Sequence, residues 1–134
     1  MADFDDDGDV DLAVAINRGQ PLLLRNDTQT NHRFLKVILR GPPSACFGAK
    51  VEVICRDQRQ VQWYGADVSY LSMHAPELVF GLGTSRSIDR IQVHWADGQQ
   101  SVVTAVAVSS RVVVQHPDGG TMRIVTLSPE RDKG

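Results

Sequence analysis

Positions 3–11 read Asp-Phe-Asp-Asp-Asp-Gly-Asp-Val-Asp and hold six of the chain's sixteen acidic residues. Carboxylates at the first, third and fifth places (Asp3, Asp5, Asp7), Gly8 at the sixth, Asp9 at the seventh and Asp11 at the ninth have the spacing of a cage for a hard, oxygen-seeking cation. So many anionic groups within a few ångströms repel one another unless a countercharge sits among them. Gly8 allows the sharp turn that a chain wrapping an ion takes after its third ligand. Calcium takes roughly 6 to 8 oxygens, so four carboxylates, the Asp9 backbone carbonyl and a water would complete its shell, whereas magnesium holds its waters too firmly. The twelfth place is Val14 rather than the glutamate of an EF-hand, and the Leu-Ala-Val-Ala-Ile run alternates like a strand. The sequence therefore predicts a strand-linked calcium loop, with a merely solvated acidic N-terminus as the alternative.

Little else has the arrangement of a reactive centre. His32, His74, His94 and His116 share no metal-ligand spacing. Ser69 and Ser72 lack a Gly-x-Ser-x-Gly elbow, so no nucleophilic catalysis and no enzyme is expected. If Ala49 to Cys55 is one extended strand, it holds Cys46 and Cys55 on the order of 20 Å apart, which predicts two free thiols, whereas a bend between them would reopen the pairing. Residues 65–76 form a long irregular connection, a place where function concentrates, and Ser69, Tyr70, Ser72 and His74 are its candidate ligand-contact residues.

The elements that must carry these residues read as strands. Leu12, Val14 and Ile16 share one face, Asn17-Arg18-Gly19-Gln20 turns, and Pro21 opens a return strand through the leucines at 22, 23 and 24. A lone hairpin of this kind is marginal in water and must dock on something. Further alternation predicts strands over 34–40 (Lys36 and Arg40 toward solvent), 49–55, 59–64 (Val61 and Trp63 inward), 78–82, 88–95, 99–103, 106–114 and 122–127. The first three of these look like an antiparallel meander, Gly41-Pro42-Pro43-Ser44 interrupts the chain, Asp97-Gly98 is a hairpin turn, and no helix is expected. Both tryptophans alternate with polar neighbours, which predicts core packing for each.

At 134 residues the chain fits one domain, or one domain plus a fragment of another. The formal charge is −2, and removing the six loop aspartates leaves −2 + 6 = +4, so charge is segregated. The absence of a basic stripe with interleaved aromatics argues against nucleic acid. The sequence has no run of 18 or more apolar residues to span a membrane. No signal peptide is visible from Met1 onward, which by itself predicts retention in the cytoplasm.

Residues 3–19 resemble the end of an FG-GAP (VCBS-type) repeat, the calcium-bearing blade of integrin-like β-propellers. The chain beyond the hairpin resembles the ASPIC/UnbV domain of cartilage acidic protein-like and enediyne-cluster proteins. The matching residues are Phe47-Gly48-Ala49-Lys50-Val51, Ser69-Tyr70-Leu71-Ser72, Phe80-Gly81-Leu82-Gly83 and Val93-His94-Trp95-Ala96-Asp97-Gly98. Ala96 stands where the family carries proline, and Gly65-Ala66-Asp67-Val68 replaces a glycine-rich lead. Together these features predict an all-β chain: an antiparallel β-sandwich or partly open barrel preceded by one calcium-binding propeller-type hairpin. The expected divisions are residues 1–30 for the hairpin, 31–116 for the β domain and 117–134 for a last strand and tail. The resemblance implies a secreted, non-catalytic, calcium-stabilised module for a protein or glycan ligand, with further blades upstream. The alternatives are an enzyme or accessory factor of a biosynthetic pathway, or a truncated fragment without independent function. Exposed edges of an incomplete blade predict homo-oligomers.

Overall fold

The computed structural model describes residues 3–5, 7, 9–28, 32–56, 58–65, 76–117 and 124–127. In chain order the elements are β1 (Leu12–Val14), β2 (Leu22–Leu24), β3 (Arg33–Arg40), a one-turn helix α1 (Pro43–Cys46), β4 (Lys50–Cys55), β5 (Gln58–Trp63), β6 (Leu78–Gly83), β7 (Ile88–His94), β8 (Gln100–Val106), β9 (Ser110–Gln115) and β10 (Ile124–Leu127). They build the β1–β2 hairpin and two four-stranded sheets, ordered β10-β9-β3-β6 and β5-β4-β7-β8. Among the described residues the architecture is an all-β sandwich without a closed barrel. Among the described residues no helix is long and apolar enough to cross a membrane.

Alternation puts one side chain in two between the sheets. Leu35, Val37, Phe80, Val112 and Val114 from one sheet and Val51, Val53, Ile91, Val93 and Val103 from the other are at most 1% exposed. Burying side chains of this size stabilises by about 1.5–3 kcal/mol each, before chain entropy is set against it. Cys46 and Cys55 are both free and buried in this core. At the β7–β8 turn Gly98 takes φ 91° and donates to the Trp95 carbonyl at 3.0 Å, while the Gln99 amide donates to Asp97 Oδ1 at 3.1 Å.

Several expectations are corrected. The Pro-Pro interruption winds into α1, with Pro43 in the first turn where a missing amide hydrogen costs nothing. The strands at 33–40, 50–55 and 58–63 are not one meander: β4 and β5 pair, but β3 belongs to the opposite sheet. There β3 runs parallel to β9, with Val37 opposite Val112 and Leu39 opposite Val114, so the sandwich is not wholly antiparallel. In β5 the faces are reversed. Trp63 is 50% exposed, and the glutamines point inward, Gln60 Nε2 donating to the Gly81 carbonyl at 2.6 Å and Gln62 Nε2 to the Val79 carbonyl at 2.8 Å. Both β5 and β6 are edge strands, and these amides bridge from one sheet edge to the other, giving two β6 carbonyls partners. Finally, Lys36 does not face solvent: it is 1% exposed, on the outer face of β3, covered by the acidic loop.

Candidate metal centre

Asp3, Asp5 and Asp11 each bring one carboxylate oxygen within 4.8 Å of the other two. Ligands on opposite sides of a calcium ion lie about 4.8 Å apart, twice a Ca–O bond of ~2.4 Å, so the trio is compact enough to share one ion. Hard oxygen donors also suit that ion chemically.

Each carboxylate has a second task. Asp11, 1% exposed, is a clasp: its Oδ2 accepts the Phe4 amide at 2.7 Å and its Oδ1 the Asn26 amide at 2.8 Å, tying the loop to the chain just after β2. The Asn26 and then the Phe4 hydrogen bond hold its carboxyl below the usual aspartate range. Asp3 Oδ2 lies 2.6 Å from Lys36 Nζ, with both side chains at most 2% exposed. Lys36 also stands 5.6 Å from the centre of the Phe34 ring. Asp5 Oδ2 is 3.8 Å from Arg25 Nε, which is held at 2.6 Å by Asp27. Two protein cations therefore already offset part of the charge that three carboxylates gather.

Of the other expected ligands, Asp7 accepts the Asp9 amide at 2.9 Å in a local turn, and the carboxylate of neither residue joins the trio. Both line an adjacent cleft of about 740 Å³ between loop and sandwich, with Asn26, His32, Arg33 and Phe34. Ser69, Tyr70, Ser72 and His74 lie outside the described residues. Lys36 and Arg25 escaped the sequence reading. A lysine between Leu35 and Val37 has the pattern of a solvated outer position, and no local signal says that a distant loop will cover it.

Two further polar clusters belong to the sandwich. On β4, Glu52 is bonded by Lys50 at 2.7 Å and Arg59 at 2.8 Å, with His94 at 3.6 Å. The Arg59 and Lys50 hydrogen bonds pull its carboxyl down to about 2. Behind the Asp97 turn, His116 Nε2 lies 2.9 Å from Asp97 Oδ2, and its ring packs edge-on to Trp95 at 4.8 Å. Trp95 is buried as expected and donates from Nε1 to Ser101 Oγ at 2.9 Å. A Cβ on Gly41 would come within 2.5 Å of His116 Cβ, so only glycine lets the two backbones approach there. Burial pushes the Cys46 and Cys55 thiols up, which keeps them protonated at neutral pH.

The family model described as ASPIC and UnbV matches residues 40–121, from the end of β3 through β9. No curated protein matches the chain.

Proposed function

The chain belongs to the ASPIC and UnbV family, and from that premise we propose that it is a non-catalytic, calcium-stabilised β module that binds a protein or glycan ligand. The convergence of Asp3, Asp5 and Asp11 carries the calcium part of this reading. The hairpin that bears them resembles the end of an FG-GAP repeat. Asp3, Asp5 and Asp11 would hold the ion, whose role is to add countercharge and tie the loop ahead of β1. Because Lys36 and Arg25 already supply positive charge, affinity should be modest, about 10⁻⁴ to 10⁻³ M, as in extracellular calcium modules.

The non-catalytic part draws on His116, which bonds Asp97 while its ring packs edge-on to Trp95, and on the two protonated, buried thiols. The cleft beside the loop offers a contact surface. An accessory role in a biosynthetic pathway draws on the same family match and on no separate observation.

Thermal melts in millimolar calcium and in chelator test the calcium reading. Calcium should raise the melting temperature by several degrees, and Asp5→Asn should remove that increment while leaving the chelator melt near wild type, since Asp5 is the most exposed of the three. Superimposable wild-type melts would remove the metal from the reading.

A further inference from the structure

The sandwich has two outer faces, and they differ. On the β3 sheet the acidic loop covers Lys36. On the other sheet the register sets Trp63, Lys50, His94 and Gln100 side by side across all four strands. One pleat along stand Glu52 and Gln92, and one further Arg59 and Arg90. Four strands and three such rows make a field about 14 Å on a side.

We propose that this face binds an anionic polysaccharide, one carrying carboxylate or sulfate groups. The assignment rests on the reading of the chain as a binding module and gives that module a site and a ligand class. Trp63 is the anchor: its indole is 50% exposed, an apolar plate on which the C–H face of a sugar ring can stack. Beside it His94, Gln92 and Gln100 offer hydrogen-bond donors and acceptors suited to hydroxyl groups. Lys50, Arg59 and Arg90 against Glu52 leave three positive charges and one negative, a formal +2, which complements an acidic chain. Glu52 serves as a positioning residue: it holds Lys50 and Arg59 by 2.7 and 2.8 Å bonds while Arg59 remains 60% exposed, its other donors open to a ligand. A protein partner fits less well. The centre of a protein interface concentrates apolar area and sheds charge, whereas on this sheet the exposed large apolar side chains are Trp63 and Val102, set among cations and amides.

Native gel electrophoresis of the full chain through gels containing polygalacturonate, dextran sulfate or neutral dextran tests the proposal, with tryptophan fluorescence as a second readout. One or both acidic polymers should retard the protein and neutral dextran should not, and which acidic polymer acts distinguishes carboxylate from sulfate. Binding should also shield Trp63 from iodide quenching, and because the chain's other tryptophan, Trp95, is 3% exposed, the change reports on Trp63. Trp63→Ala should weaken retardation at least tenfold in apparent affinity, Arg90→Gln severalfold, and Trp63→Phe should retain most of it, all with melting temperatures near wild type. Loss of binding on an uncharged substitution is what simple charge attraction to a polyanion does not produce. Retardation that survives Trp63→Ala overturns the face and leaves the binding-module reading standing. Equal retardation by neutral dextran overturns the anionic ligand, and no retardation by any of the three overturns glycan binding altogether.

Discussion

The N-terminal hairpin and the sandwich are written in the same alphabet of leucine, valine and alternating strands, yet their apolar side chains have opposite fates. In the hairpin Leu12, Leu22, Leu23 and Leu24 are 40–58% exposed, whereas in β3 Leu35 and Val37 are fully buried. The difference is not propensity but the presence of a second sheet. Two strands alone cannot cover their own faces. What holds the hairpin in place is polar: the Asp11 clasp on Phe4 and Asn26, and the Asp3–Lys36 pair that pins the loop to the outer face of β3. One region is organised by apolar burial and the other by a few charged and hydrogen-bonded anchors.

The contrast is broken most directly by truncating one side chain in each region. Phe80→Ala should cost about 3–5 kcal/mol in chemical denaturation, since the ring is fully buried between the sheets. Leu23→Ala, 58% exposed, should fall within about 0.5 kcal/mol of wild type. A large loss at Leu23 would mean that the hairpin is covered in solution, and a mass measurement showing dimers would identify a second copy as the cover. Next in size is Lys36→Met. Removing one partner of a buried pair leaves the other's charge in a poor medium, a loss of about 3 kcal/mol. It should free the loop selectively, seen as faster amide exchange at Phe4 and Asn26 with the β4 and β7 amides still protected. Calcium should recover part of that protection. Uniform loss across both regions would show that the anchor holds the sandwich as well.

Alternation made the strands legible, because a period of two is written residue by residue: β3, β4, β6, β7 and β8 lie where Leu35, Val51, Phe80, Ile91 and Val103 mark a buried face. Pairing is not written locally, and so the parallel match of β3 with β9 was invisible. Nor does period two say which face is inside. In β5 the apolar residues Val61 and Trp63 suggested the core, but at a sheet edge Gln60 and Gln62 can reach the β6 carbonyls, and those hydrogen bonds set the face. At the acidic loop the density of carboxylates was plain. Which of them converge was not, since Asp7 turned back on the Asp9 amide and Lys36 arrived from a strand whose pattern advertised solvent.

The gentlest way to sharpen the comparison is pH. In the sandwich, the Glu52 carboxyl is depressed from 4.5 to about 2 by Arg59 and Lys50. A depressed carboxyl contributes stability that is fully present above its unfolded value and lost as pH falls toward its folded one, here between 4.5 and about 2. Because Arg59 is 60% and Lys50 32% exposed, solvent screens the pairs, and Glu52→Gln should lower stability at neutral pH by only about 1 kcal/mol. The variant lacks this titration, so the gap between it and wild type should close as pH drops through that window. Asp11 is depressed as well, by the Asn26 and Phe4 amides, so loosening of the hairpin in acid should be the same in both proteins. If Glu52→Gln also alters acid exchange at Phe4 and Asn26, the two regions titrate as one unit and are not held by separate anchors.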